Sequence, residues 1–99
     1  MDSPILVEAF RVWSGKGVSN RPDRSDSRLR LYVGDVAAEK LLPVIKRLEL
    51  DFYETDAWRT KGDLSEMTNV ASADFRLLHP EVANEITEIL AWCYSYDFK

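Results

Sequence analysis

The predicted fold class depends first on residues 5–13, Ile5-Leu6-Val7-Glu8-Ala9-Phe10-Arg11-Val12-Trp13. This stretch is rich in β-branched and aromatic residues and is bounded by Pro4 and Gly15, a composition typical of a β-strand. Apolar side chains would fall on both faces of such a strand. We therefore predict a fairly central strand of a small sheet.

Three later segments predict further strands. Residues 28–33 alternate, with Leu29, Leu31 and Val33 on one face and polar or aromatic side chains on the other. Residues 48–52 and 73–77 show the same alternation over shorter lengths. The first two strands would pair antiparallel across a connection from residue 14 to residue 27, which is long for a compact domain.

Two longer segments have the spacing of amphipathic helices. In the first, Asp35 would cap the helix, and Pro43 predicts a kink or a break. Its apolar residues recur at i, i+4, i+7, i+8 and i+11: Ala37, Leu41, Val44, Ile45 and Leu48. The last helix would run from Pro80 to Cys93 with the same spacing: Val82, Ile86, Ile89, Leu90 and Cys93. Asp63 and Glu66 have the spacing of a capping box, which predicts one additional helical turn.

These elements predict a single α+β domain over residues 1–99, with a three- to four-stranded mixed sheet and two main helices packed on one face. No apolar run approaches the roughly 20 residues that a membrane-spanning helix needs. The single cysteine excludes an internal disulfide. We therefore expect a cytoplasmic protein that does not associate with membranes.

The residues that could carry catalysis do not come together in the predicted elements. On a helix that rises about 1.5 Å per residue, His79 and Cys93 would lie on the order of 20 Å apart. Cys93 lies on the apolar stripe, which predicts a buried, unreactive thiol. Ser72 and Asp74 lie near His79 in sequence, but sequence neighbours do not make a catalytic triad. We expect a protein that is not an enzyme, with no cofactor and no metal site.

Acidic and aromatic residues are concentrated in two segments of the C-terminal half. One flanks the predicted strand at residues 48–52, and the other forms a second stripe on the last helix. The candidate partner-binding residues are Glu49, Asp51, Tyr53, Glu54, Asp56, Trp58, Glu81, Glu85, Glu88 and Trp92. Carboxylates around exposed aromatic rings are typical of a surface that binds a basic partner, since charge speeds encounter and aromatic side chains hold the complex. A solvated helix face next to a charge-protected edge strand would give the same composition.

The region from residue 14 to residue 30 offers an alternative contact surface. Its basic residues could contact phosphate or an acidic protein surface: Lys16, Arg21, Arg24, Arg28 and Arg30. No aromatic residue lies within the loop to stack on bases, and the net charge of the chain is −4. Direct nucleic-acid binding is therefore the less favoured interpretation.

Three functions from different classes follow from these observations. The leading hypothesis is an inhibitor that covers a basic site on a nuclease toxin or a nucleic-acid-binding complex, because immunity proteins and phage-encoded inhibitors have this size and charge. The second is a nucleic-acid-binding or regulatory module that uses the basic region. The third is a small enzyme or ligand-binding subunit whose site forms on oligomerisation. The sequence leaves a homodimer open.

Overall fold

The computed structural model describes residues 4–17, 22–54 and 63–97. The helices are α1 (Pro4–Ser14), α2 (Asp26–Val33), α3 (Asp35–Tyr53), α4 (Leu64–Leu78) and α5 (Asn84–Asp97). No β-strand occurs within the described ranges. The predicted α+β fold with a three- to four-stranded sheet is therefore wrong, and the described residues form an all-helical fold.

The α1 helix replaces the predicted first strand. Its buried apolar side chains follow the spacing i, i+3, i+4 and i+7 of one helix face: Leu6, Ala9, Phe10 and Trp13. Pro4 occupies the first helical position, where a missing N–H costs no hydrogen bond. Away from the core, Arg11 Nη1 lies 3.1 Å from Glu8 Oε2, one turn earlier. The segment is rich in strand-forming residues, but burial of the helical stripe outweighs that local preference.

The α2 helix replaces the predicted second strand at residues 28–33. Ser25 caps it, because its hydroxyl oxygen accepts a hydrogen bond from the backbone N–H of Arg28 at 3.0 Å. Alternation would bury Leu29 and Leu31 together, but Leu29 is buried and Leu31 is 89% exposed. The prediction failed because three alternating apolar residues are too few to distinguish a strand from a short helix.

The α3 helix was predicted in part. Gly34, with φ of +89°, precedes it as the N-cap, and Asp35 is the first helical residue, so the predicted side-chain cap is wrong. The helix continues through Pro43 and is not broken there. Of the predicted stripe, Ile45 and Leu48 are buried, whereas Ala37, Leu41 and Val44 are only half-buried. The buried side chains are Ala38, Leu42, Ile45, Leu48 and Phe52.

The predicted third strand, residues 48–52, forms the last part of α3. Leu48 and Phe52 are buried and lie four residues apart on one helix face. Leu50, which strand alternation places beside them, is 51% exposed. This short apolar run fits the period of a strand and that of a helix. It is helical because the preceding helix continues through it.

The cap predicted at Asp63 is confirmed in α4, and most of the apolar stripe predicted for the last helix is confirmed in α5. Asp63 caps α4 by accepting a hydrogen bond from the Glu66 N–H at 2.9 Å, but α4 continues for 15 residues instead of one turn. The predicted fourth strand, residues 73–77, is therefore part of α4. Helix α5 starts four residues later than predicted, at Asn84. Four of the five predicted stripe residues are buried on α5, and the fifth, Val82, is buried just before the helix begins: Ile86, Ile89, Leu90 and Cys93 lie on the helix.

The five helices share one hydrophobic core. The α5 helix packs against α1 and α4, and α3 packs against α2 and α4. Near the middle, the Phe52 ring lies 5.3 Å from Phe75 and 5.6 Å from Tyr94 between centroids. At the α1–α2 end, buried Trp13 donates from Nε1 to Asp26 Oδ1 at 3.0 Å. None of the helices in the described ranges combines the length and apolar character needed to cross a membrane.

Candidate interaction surface

Arg24 contacts two of the predicted partner-binding residues, Glu49 and Tyr53, in a partly buried cluster. Its Nε lies 3.0 Å from Glu49 Oε2, and its Nη2 donates to Tyr53 Oη at 3.0 Å and pairs with Asp97. The Tyr53 hydroxyl donates to Asp97 Oδ2 at 2.6 Å. These four side chains, here called the Arg24 cluster, join the segment before α2 to the ends of α3 and α5. Glu49 and Tyr53 therefore stabilise the fold and do not form an open acidic face.

Burial controls the electrostatics of the Arg24 cluster. It raises the pKa of the Glu49 carboxyl, and the Arg24 charge offsets part of that shift. Burial and the hydrogen bond to Asp97 raise the pKa of Tyr53. Burial also raises the pKa of Cys93, which lies close to the cluster, to about 11. The Cys93 thiol is therefore protonated near neutral pH and fully buried, as predicted from the apolar stripe.

Asp51 is also held inside the fold. His79 Nε2 lies 2.7 Å from Asp51 Oδ2, and Arg47 Nε lies 3.3 Å from Asp51 Oδ1. The other ring nitrogen of His79 lies 3.4 Å from Glu81 Oε1. His79 is the C-cap residue of α4, so these contacts connect the end of α4 to α3. Glu81 precedes α5 and is not part of the stripe on that helix.

The residues considered for catalysis lie in different environments. Ser72 is buried within α4, and Asp74 on the same helix is exposed. The carboxylates beside the His79 ring are Asp51 and Glu81 instead. Within the described ranges, no three His, Cys, Asp or Glu side chains are arranged to hold a metal ion.

The acidic and aromatic stripe of α5 does lie on the surface. Glu85 and Glu88 are exposed, Trp92 is half-buried and Tyr96 is 36% exposed. Spacings of three and four residues place these side chains along one side of the helix. We call Glu85, Glu88, Trp92 and Tyr96 the α5 surface.

Contacts with α1 and the residues after it orient the α5 surface. The Trp92 and Tyr96 rings meet edge to face, with centroids 6.0 Å apart. Lys16 Nζ lies 5.6 Å from the centroid of the Trp92 ring, within the range of a cation–π contact. Arg11 Nη2 pairs with Glu85 Oε2 at 2.5 Å. Trp92 is therefore held in place by neighbours, with part of its ring open to solvent.

The predicted basic contact region is mostly engaged in internal contacts. Arg28 pairs with Asp23 and donates from Nε to the Val12 carbonyl at 2.8 Å. Arg30 Nη1 lies 3.7 Å from Asp35 Oδ1, a weaker contact. Together with the Arg24 cluster, these contacts fix the described end of the 14–27 connection, which joins two helices instead of two strands.

The remaining predicted residues divide between exposed and undescribed positions. Glu54 is exposed at the end of α3. Asp56, Trp58 and Arg21 lie outside the described residues. The predicted site residues therefore do not form one surface. Those on α5 lie on the surface of the fold, whereas Glu49, Asp51 and Tyr53 make contacts between helices.

Two residues that belong to these groups of contacts were not singled out from the sequence. Tyr96 lies four residues after Trp92, so extending the stripe by one turn would have included it. Asp97 has no local pattern that indicates its contacts with Arg24 and Tyr53, because those partners are distant in sequence.

No family model, no curated protein and no solved structure matches this chain.

Proposed function

We propose that this protein is a protein-binding inhibitor that covers a basic site on its partner with the α5 surface. The observation that carries the proposal is the exposed carboxylate of Glu88, together with that of Glu85, which also pairs with Arg11, beside a partly exposed Trp92. Long-range attraction by carboxylates speeds encounter, and an aromatic side chain that becomes fully buried in a complex slows dissociation. The class of partner is a basic nuclease or another nucleic-acid-binding protein.

Pre-organisation of the aromatic pair supports this proposal. Trp92 contacts both Tyr96 and Lys16 in the unbound chain, so little rotational freedom remains to be lost on binding. Ordering one flexible side chain at an interface costs about 0.5–1.5 kcal/mol, and that cost is reduced here. The charge of the whole chain, −4, also favours approach of a basic protein.

The nucleic-acid alternative has less support from the contacts. Arg24 and Arg28 would have to leave Glu49 and Asp23 of the same chain before they could bind phosphate. We place the proposed inhibitor in the cytoplasm, because its lone cysteine, Cys93, is a buried free thiol and disulfide-stabilised domains are typical of oxidising compartments.

The test is capture of the partner by matched variants of the chain. Wild-type protein, Glu88→Lys and Trp92→Ala would be immobilised in parallel and exposed to extract of the source cells, and the bound proteins would be identified by mass spectrometry. Glu39→Lys and Glu66→Lys change exposed carboxylates on α3 and α4 and serve as controls. Circular dichroism would establish that each variant is folded.

The proposal predicts one basic protein that is retained by wild type and by both controls. Glu88→Lys and Trp92→Ala should lose most of it, since truncating a hot-spot tryptophan costs about 2 kcal/mol or more. A purified partner that binds the two α5 variants as tightly as wild type would overturn the assignment of this surface.

A further inference from the structure

Two cations of the chain itself cover part of the α5 surface. Lys16 lies two residues after the end of α1, with its Nζ 5.6 Å from the centroid of the Trp92 ring. Arg11, on α1, pairs with Glu85. An ammonium and a guanidinium of the free chain therefore occupy positions where the proposed function places basic groups of the partner.

The backbone on both sides of Lys16 has a conformation that favours glycine. Gly15 has φ of +82° and Gly17 has φ of +96°, values that residues with a Cβ rarely adopt. A Cβ added to Gly17 would meet no described atom within 4 Å, so conformation and not space favours glycine there. Because glycine has several backbone conformations of similar energy, rotation at these two residues can move Lys16 away from Trp92 while α1 stays in place.

Both contacts are weak enough to be exchanged for contacts with a partner. Lys16 is exposed, and a cation–π contact at an exposed site changes an equilibrium only about two- to fivefold. The Arg11 and Glu85 side chains are 42% and 58% exposed, and ion pairs between exposed side chains contribute little. Arg11 also retains its pair with Glu8, at 3.1 Å, when Glu85 takes another partner.

Glu88 gives an incoming cation a contact that Lys16 does not make. It is exposed one turn before Trp92 on α5, and its carboxylate forms no ion pair within the part of the chain that the structure describes. A guanidinium that lies over the Trp92 ring could also donate to this carboxylate, a charge-assisted contact. Arginine is also more frequent than lysine in cation–π pairs, so an arginine side chain is the group that fits best.

We propose that Lys16 is an internal competitor for the α5 surface: it covers the Trp92 ring in the free chain, and an arginine side chain of the partner displaces it. This inference rests on the proposed function. It adds the chemical group that the α5 surface binds and the contact that must open first. The edge-to-face contact between Trp92 and Tyr96 does not involve Lys16, so it continues to orient the Trp92 ring after Lys16 leaves.

The experiment is an NMR titration of the whole chain with hexa-arginine, with hexa-citrulline as an uncharged control peptide of the same length. The indole N–H signal of Trp92, identified with Trp92→Phe, reports binding. The side-chain methylene protons of Lys16 report displacement, because the ring current of an aromatic side chain shifts the signals of protons that lie over it. Lys16→Gln and Lys40→Gln remove the same charge, and Lys40 is exposed on α3, so the second variant is the matched control.

Hexa-arginine should move the Trp92 signal and return the Lys16 methylene signals to the positions of a lysine far from any ring. Hexa-citrulline should do neither. Lys16→Gln should bind hexa-arginine about two- to fivefold more tightly than Lys40→Gln, because the competing contact is gone. Lys16→Arg, which keeps a cation at this position, should bind no more tightly than wild type.

Three results would overturn the inference. The first is a Trp92 signal that hexa-arginine does not move, and the second is a set of Lys16 methylene signals that stay shifted when the Trp92 signal is saturated. The third is equal affinity of Lys16→Gln and Lys40→Gln for hexa-arginine. The proposed function fails on a different result, a purified partner that binds Trp92→Ala as tightly as wild type, so the two failures are distinguishable.

Discussion

Replacing Arg24 tests how much the fold depends on its internal ion pairs. The Arg24, Glu49 and Asp97 side chains are 31%, 24% and 35% exposed, so these pairs are neither fully buried nor freely solvated. Breaking a buried pair costs about 3–5 kcal/mol, and an exposed pair contributes about 0–1 kcal/mol. An intermediate loss of about 1.5–3 kcal/mol in the free energy of unfolding is therefore expected for Arg24→Ala near neutral pH.

The backbone conformation of Arg24 provides a control variant for this prediction, Arg24→Gly. Arg24 has φ of +45°, a region that costs a residue with a Cβ about 1–2 kcal/mol and costs glycine little. Arg24→Gly also loses the ion pairs but relieves this strain, so it should be more stable than Arg24→Ala by about 1 kcal/mol. Urea unfolding, followed by circular dichroism, measures both variants.

The pH dependence of Arg24→Ala has a defined sign. Burial already raises the pKa of Glu49, and loss of the Arg24 charge removes the effect that opposes this rise. A carboxyl whose folded pKa exceeds its unfolded value stabilises the fold at low pH, and that stability is lost as pH rises through the folded pKa. The deficit relative to wild type should therefore grow from about pH 4 to pH 7, and adding Glu49→Gln should recover part of it. A deficit below about 0.5 kcal/mol, or one independent of pH, would refute the role given to the Arg24 cluster.

Three further predictions concern stability and reactivity. Cys93, with its pKa raised by burial to about 11, should react slowly with thiol reagents in the native protein and rapidly in urea; fast native labelling would contradict its burial. Asp26→Asn should lose about 0.5–1 kcal/mol near neutral pH, a small value because the pair with Lys46 is largely exposed. Hydrogen bonds from Lys46 and Trp13 lower the pKa of Asp26. The stability that Asp26 contributes is therefore present above its unfolded pKa and lost as pH falls through its folded pKa. Unfolding curves that still show wild type to be more stable than Asp26→Asn at pH 2 would contradict this. Gly34→Ala should cost about 1 kcal/mol because φ is +89° there, and an unchanged thermal midpoint would show that the backbone relaxes.

The sequence predicted the longer helices better than the short segments. The stripe from Val82 to Cys93 covers three turns, so its period could be recognised, and all of its predicted members are buried. Residues 5–13 fit a strand by composition and a helix by the spacing of Leu6, Phe10 and Trp13. The segment is a helix because packing against the rest of the fold buries its helical stripe. The alternating residues 28–33 were shorter still, and the Ser25 cap was the feature that could have identified a helix.

The candidate site was predictable where it follows one helix. Glu85, Glu88 and Trp92 were placed together from their spacing, and the structure keeps them on the surface. The contacts that Glu49 and Asp51 make within the chain could not be predicted in the same way. Their partners, Arg24 and His79, lie 25 and 28 residues away, and no local pattern encodes a contact between helices.

The most direct test of the central claim is the rate of association with the purified partner. Glu85→Lys/Glu88→Lys would be compared with Glu39→Lys/Glu66→Lys, which makes the same change in net charge on other helices. Surface plasmon resonance at low and high ionic strength gives the association rate constants of both variants. We predict a loss of about tenfold or more for the α5 variant only, largest at low salt because exposed charges are screened beyond about 8–10 Å at ordinary ionic strength. Equal losses in both variants would mean that only net charge matters, and the claim that the α5 surface contacts the partner would be wrong.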